Sequence, residues 1–315
     1  MTAPRILQAE PLADFSPALA GWETPSAFGV GYDGAVYAVA RRPSTEALTE
    51  ERGGDIFPKS MLVDPVDYLV LRSDRGELRT VEVRGVPVAV SFVQPFHGGL
   101  LLAGARCHWR RAGPEQNVLV VDWKGMVERT FTIGDGVQDV RTTAGGDVWV
   151  SYFDEGVFGN YGWSPPGPEP IGAPGLVGFD PRGGVRFTYD AAAAGTDSIC
   201  DAYATNVDED GAVWVYFYSE FPIVRVVAGA YRAWKLGVAG ARALAVREGR
   251  AMLFGDYKER SLGRIVALGS ETAQLIEEVL VQDDRGQPLD RAAVYGRGRS
   301  LFSLKEGQAL VLSDW

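Results

Sequence analysis

Carboxylates and aromatic rings recur side by side in this chain. Asp154 and Glu155 open the run DEGVFGNYGW, which also carries Phe158, Tyr161 and Trp163; Glu220 precedes Phe221; Asp256 precedes Tyr257 and Glu259; Trp109 stands in RCHWRR. An acid beside a ring face suits a cationic or sugar-like ligand, because carboxylate and ring quadrupole both favour positive charge while the ring supplies apolar area. The competing reading is a solvated rim in which Arg110, Arg111, Lys258 and Arg260 neutralise these acids. A second constellation places charges where apolar runs begin: Asp139 in GVQDV, Asp201 in SICDAY, Arg242 in GARAL, Asp290 and Arg291 in LDRAAV, with Glu23 just before TPSAF. Convergent carboxylates of this kind hold a hard cation such as calcium or magnesium, or act as an acid and base pair. No other cofactor is expected. The competing reading is charge that faces a water-filled channel. Other chemistries lack their parts. His97 and His108 are the only histidines, too few for a multi-histidine zinc site, and neither a G-x-S-x-G nor a P-loop pattern occurs. Cys107 and His108 are adjacent, as a thiolate and its base would need to be in space, but neighbours on an extended chain point apart.

Short β-rich runs must position these residues. Helical periodicity is almost absent, and Gly-containing turns open strand-like runs six times: YDGAVYAVA, HGGLLLAGA, GGDVWVSYF, DGAVWVYFY, EGRAMLFGD and GRGRSLFSL. Each is preceded by an apolar or small-residue run and followed by one or two more strand-like runs. Alternation with such turn signals predicts antiparallel all-β structure, and six units of up to four strands predict a six-bladed β-propeller in one domain. The units begin near 26, 87, 137, 199, 240 and 290. The last unit ends one strand short, so the N-terminal run 5–12 is expected to complete it, pairing near 308–312 and removing an open sheet edge. The repeated Val-Trp-Val is then the second strand of two successive blades, with Trp149 and Trp214 as packing residues. The long loops between second and third strands, 40–66, 106–116 and 154–175, emerge on one face together with the blade-to-blade segment 191–200. They are expected to cluster there over a pocket, with STEALTEER as a short helix begun by Ser44. Trp109, Asp154, Glu155, Tyr161, Trp163, Glu220, Asp256 and Tyr257 form the rim of that face, and Asp139, Asp201, Arg242 and Arg291 line the channel.

The runs DGVQDVRTTAGGDVWVS and YATNVDEDGAVWVYF resemble the repeats of NHL-type and two-component-regulator propellers, in which an apolar strand, a D-G turn and an (I/V)-(W/Y)-V strand recur. That resemblance implies the fold and is silent on activity. Glu23-Thr24-Pro25 is similar to the E-G-P motif of gluconolactonases and regucalcin-like proteins, six-bladed propellers that bind a divalent metal in the channel. The second resemblance implies Glu23, Asp139, Asp201 and Asn206 as metal ligands and a metal-dependent, lactonase-type hydrolase. It departs from the pattern at Asp201, which stands in C-D-A where the family has P-D-G.

Composition sets the class. The chain has 315 residues and a net charge of −10, which argues against nucleic acid and against an anionic membrane surface. No transmembrane run or signal peptide is read, and two cysteines make no disulfide framework, so a cytoplasmic monomer with free thiols is expected. The function these features imply is a ligand-binding or interaction propeller working through its long-loop face, its partner a small polar or cationic ligand or a protein. The alternatives are the metal-dependent hydrolase and a protein-binding platform or inhibitor.

Overall fold

The computed structural model describes residues 4–52, 54–290 and 293–315. Its strands form small antiparallel four-stranded sheets, the blades of a six-bladed β-propeller. Blade one comprises Ala27–Val30, Val36–Arg41, Met61–Asp74 and Glu77–Val88. Blade two comprises Val90–Phe96, Gly99–Gly104, Val118–Val121 and Val127–Phe131. Blade three comprises Val137–Thr142, Val148–Tyr152, Leu176–Phe179 and Val185–Thr188. Blade four follows with Asp201–Val207, Val213–Tyr218, Ile223–Val227 and Ala230–Trp234. Blade five has Ala243–Arg247, Arg250–Phe254, Leu262–Leu268 and Ala273–Gln282. Blade six has Ala293–Arg297, Ser300–Lys305 and Gln308–Leu312, and its fourth strand is Glu10–Asp14. The strands group into two compact units: Phe15–Tyr189 holds blades one to three, and Asp190–Trp315 with the N-terminal segment to Asp14 holds blades four to six.

One local device ends many of these strands. In D-W-K-G, D-P-R-G, D-E-D-G and D-D-R-G, the aspartates Asp122, Asp180, Asp208 and Asp283 each accept two backbone N–H bonds on Oδ1, from the residues two and four positions on. The glycine three positions on sits at φ between 76° and 89°, a region that carries no steric penalty only for glycine. Short side chain and glycine together reverse the chain without leaving buried amides unpaired.

Alternation then sends every second side chain into the layer between neighbouring blades. Within the first unit, Val39, Tyr68 and Val70 meet Val93, Leu102 and Val121, and Leu101, Val120 and Phe131 meet Val140, Val150 and Val177. Within the second unit, Tyr216 and Trp214 meet Leu244 and Leu253, and Met252, Phe254 and Val281 meet Leu301 and Leu310. Each such aliphatic side chain contributes about 1.5–3 kcal/mol on burial. Trp214 is buried and stacked on Trp234, centroids 5.5 Å apart and planes 11° apart. Trp149 is half-buried on its own blade against Phe187.

Two expectations are refined. The N-terminal run splits: Glu10–Asp14 pairs antiparallel with Gln308–Leu312, but Arg5–Gln8 pairs in parallel with Val279–Gln282 as a fifth strand on blade five. The backbone turns from one blade to the other at Ala9, whose N–H donates to the Gln282 carbonyl at 2.8 Å. Burial of Leu7 among Val279, Val281 and Leu310 makes the outer edge of blade five the better partner for Arg5–Gln8. STEALTEER is not a helix. Thr49–Arg52 instead pairs with Asp55–Pro58 as a hairpin, and that pairing satisfies backbone groups that a single helical turn would leave open.

Candidate functional site

The long connections of the first unit come together. Trp109 N–H donates to the Tyr161 carbonyl at 2.9 Å, and Trp163 Nε1 to the Cys107 carbonyl at 2.8 Å, tying 106–116 to 154–175. Ser60 Oγ and His108 Nδ1 are 2.8 Å apart, and the Tyr161 hydroxyl donates to Glu50 Oε1 at 3.0 Å, tying in 40–66. Beneath them Arg106 makes a two-pronged pair with Asp135, at 3.0 and 2.9 Å, and a further bond to Glu155. Its guanidinium lies 4.2 Å from the Tyr161 ring centroid. Burial pushes the Asp135 carboxyl up, while Arg106 and the Cys107 and Gly136 amides pull it back. The short helix Asp154–Phe158 starts with Asp154 bonding the Glu155 amide, which leaves Glu155 aimed at Arg106.

These contacts use up most of the rings that could have faced a ligand. Tyr161 and Trp163 are buried, Trp109 is half-buried against Trp163, and Phe158 is exposed. Cys107 is fully buried and its thiol is pushed up to about 12, by burial above all, so it is no nucleophile at neutral pH. Ser60 and Glu115 both address Nδ1 of His108, at 2.8 and 3.3 Å. A serine–histidine–acid relay needs them on opposite nitrogens, so this cluster is structural.

The second unit presents a different surface. Tyr257 is exposed, its ring lies where a side chain on Gly240 would begin (2.8 Å), and its hydroxyl meets that of Tyr203 at 2.9 Å. Tyr203 makes edge contacts with Tyr216, Phe221 and Tyr257, and Phe221 also meets Tyr218. Burial, and then the hydrogen bond shared with Tyr257, push the Tyr203 hydroxyl up, so it stays a neutral phenol. Asp256 accepts the Lys258 amide at 2.8 Å and pairs with Arg264, which also holds Glu278. Beside Tyr257 opens a cleft of about 710 Å³ lined by Leu236, Val238, Ala273 and Leu275 with Lys258 and Glu278. Glu220 is exposed in the turn before Phe221. Asp201 is half-buried at the start of blade four, opposite Tyr218 in the strand register. Arg242 is half-buried, and Arg291 lies outside the described residues.

The residues implied as metal ligands are committed locally. Glu23 grips Arg41 with both oxygens, at 2.9 and 2.7 Å. Asp139 pairs with Arg141 and bonds the Val140 amide. Asn206 is buried, and its amide bridges the Leu244 and Gly298 carbonyls and the Gly298 N–H. That is a structural clamp between strands, and an amide so engaged does not fit a cation. Among the described residues no group of three or more His, Cys, Asp or Glu side chains could hold a metal.

No protein-family model and no curated protein matches the sequence. Solved structures match in chain trace. A chain of the mitotic checkpoint complex superposes with a TM-score of 0.51 at 12% identity, over 100% of this chain and 98% of that one. A catalytically inactive virginiamycin B lyase from Staphylococcus aureus with quinupristin gives 0.44 at 12% identity, over 98% and 99%. A gluconolactonase from Xanthomonas campestris gives 0.42 at 10%, over 99% and 97%. At such identities the likeness is one of fold alone.

Another cleft in the second unit, about 470 Å³, runs past the Trp214–Trp234 stack and Arg225, Arg232, Arg247 and Arg299. Its arginines are engaged: Arg225 and Arg299 near Asp208 and Glu209, Arg232 on the Gly269 carbonyl, Arg247 on the Trp315 carbonyl. Tyr203, Arg264 and the Arg106–Asp135 pair are absent from the sequence-based set. For Arg106 a signal existed, a lone arginine closing the apolar strand LLAGA; for the others nothing local marks them.

Proposed function

We propose that this chain is a ligand-binding or interaction propeller whose site lies in the unit of blades four to six, at the Tyr203–Tyr257 hydroxyl pair and the cleft beside it. One observation carries this reading. In the unit of blades one to three the long connections are closed largely upon their own side chains, whereas around Tyr257 an exposed ring, two hydroxyls and a cleft lined by both apolar and charged side chains stay open. Rings with hydroxyls beside mixed apolar and charged side chains suit a small polar molecule or an extended segment of another protein. The carboxylates that would favour a cation are spent nearby, Asp256 on Arg264 and Glu259 on Ser261. The test is a screen of small polar compounds by thermal shift, followed by titration. Hits should weaken about tenfold in Tyr257→Ala, because a stacking or hydrogen-bonding ring contributes on the order of 1.4 kcal/mol. Hits of equal affinity in wild type and Tyr257→Ala would place the site elsewhere.

A further inference from the structure

Charge compensation sets one residue of the second unit apart. Arg264 lies between Asp256 and Glu278, and Lys305 meets Asp283 at 2.8 Å. Arg242 is half-buried and, among the described residues, has no carboxylate within ion-pair distance. Its Nη2 donates to three backbone carbonyls, those of Arg260, Leu289 and Asp290, at 3.2, 3.1 and 3.2 Å. Its guanidinium lies 5.3 Å from the Phe254 ring centroid, and its Cγ would sit 2.8 Å from a Cβ on Gly255. The side chain is therefore held in one place by a carbonyl cradle, a ring and a glycine. Nε is buried with no hydrogen-bond partner.

We propose that Arg242 anchors an anionic group, a carboxylate, sulfate or phosphate, carried by the ligand of this face. The ligand's identity rests on the site reading above; the anion site does not. Carbonyl dipoles orient a guanidinium but do not neutralise it, and an arginine does not shed its proton to escape burial. Burial and the neighbouring Arg260 both disfavour its charge, and only Asp290 opposes them. An oxyanion arriving beside the half-buried guanidinium supplies the missing counter-charge. A cation would meet Arg242 and Arg260 together, so the site discriminates by sign.

Thermal shift and calorimetric titration of the full chain with inorganic phosphate, sulfate and acetate, against chloride at matched ionic strength, test this. At least one oxyanion should give a saturable rise in Tm. Arg242→Gln should weaken its binding about tenfold or more, the loss expected for a charged hydrogen-bonding partner, while Arg250→Gln, at the exposed start of its strand, should bind as wild type. No saturable shift with any oxyanion, or an unchanged affinity in Arg242→Gln, overturns the proposal. Should Arg242→Gln fail to fold, exposed Arg260→Gln carries the test: a severalfold loss supports the site and an unchanged affinity overturns it. Tyr257→Ala should leave phosphate binding intact, so loss of phosphate binding in wild type with polar hits retained at Tyr257 sinks this inference and spares the site reading.

Discussion

At the scale of single residues, environment decides what each chemical group can do. Cys107 has the sequence neighbour that a nucleophile wants, yet burial holds it as a thiol that donates to the Glu115 carbonyl at 3.3 Å. Iodoacetamide at neutral pH should therefore label half-buried Cys200 well before Cys107, as read by peptide mass spectrometry; equal rates would contradict the packing. Asp283 shows the opposite case. Burial alone would raise its carboxyl, but the Lys305 ammonium and the Gln287 and Arg285 amides outweigh burial and hold it below its ordinary value. A carboxylate with a lowered folded pKa adds stability that is complete above the unfolded value, about pH 4, and fades as pH falls through the folded one. Asp283→Asn should thus cost about 1–3 kcal/mol at neutral pH. Its deficit against wild type, measured by urea unfolding, should narrow at about pH 3.

At the scale of elements, the connections between second and third strands carry most of what distinguishes the two units. Arg106 and Asp135 fasten the 106–116 loop from beneath, and Glu155 brings the helix Asp154–Phe158 to the same guanidinium. Arg106→Met would strand Asp135 in a buried site without its counter-charge, at about 3–5 kcal/mol. Urea unfolding should register that loss, and hydrogen exchange should show faster exchange of the Trp109 amide, which reports the link to 154–175. A variant as stable as wild type would mean that the loops hold together through their rings alone. The hairpin Thr49–Arg52 with Asp55–Pro58 was hidden in a helix-like composition. Glu, Ala, Leu and Arg favour a helix, but a segment this short is decided by the partner strand it finds.

At the scale of the whole molecule, the N-terminal segment completes the sheet architecture on two blades. Deleting residues 1–12 removes Arg5–Gln8 from the edge of Ala273–Gln282 and most of the strand that covers Gln308–Leu312. The exposed edges should lower Tm by several degrees or more and promote association, visible by size-exclusion chromatography. A truncated chain that stays monomeric with an unchanged Tm would contradict a structural role for this segment. Divalent cations bear on the hydrolase alternative. Glu23 and Asp139 are paired with arginines and Asn206 is clamped to backbone. Calcium, magnesium or manganese added after chelation should leave Tm unchanged, whereas a site of ordinary affinity would add on the order of 2.7 kcal/mol at a hundredfold excess over Kd.

The antiparallel four-stranded class and its glycine turns were legible in the residues themselves: the six Gly-opened runs fall on the strands Val36–Arg41, Gly99–Gly104, Val148–Tyr152, Val213–Tyr218, Arg250–Phe254 and Ser300–Lys305. These signals are local. A period of two and an aspartate three residues before a glycine act within a handful of positions, whatever the rest of the chain does. Which charges neutralise one another was not legible, since Arg106 finds Asp135 and Glu155 across intervening strands and Arg242 finds carbonyls at 260, 289 and 290. Asp154, Glu155, Tyr161, Trp163, Asp256 and Tyr257 carry the same two chemistries in sequence. Tertiary packing buries Tyr161 and Trp163, pairs Glu155 and Asp256, and leaves Tyr257 open. An ion pair or a ring contact is a matter of distance in space, and in a sheet fold that distance depends on how separate strands and loops are brought together.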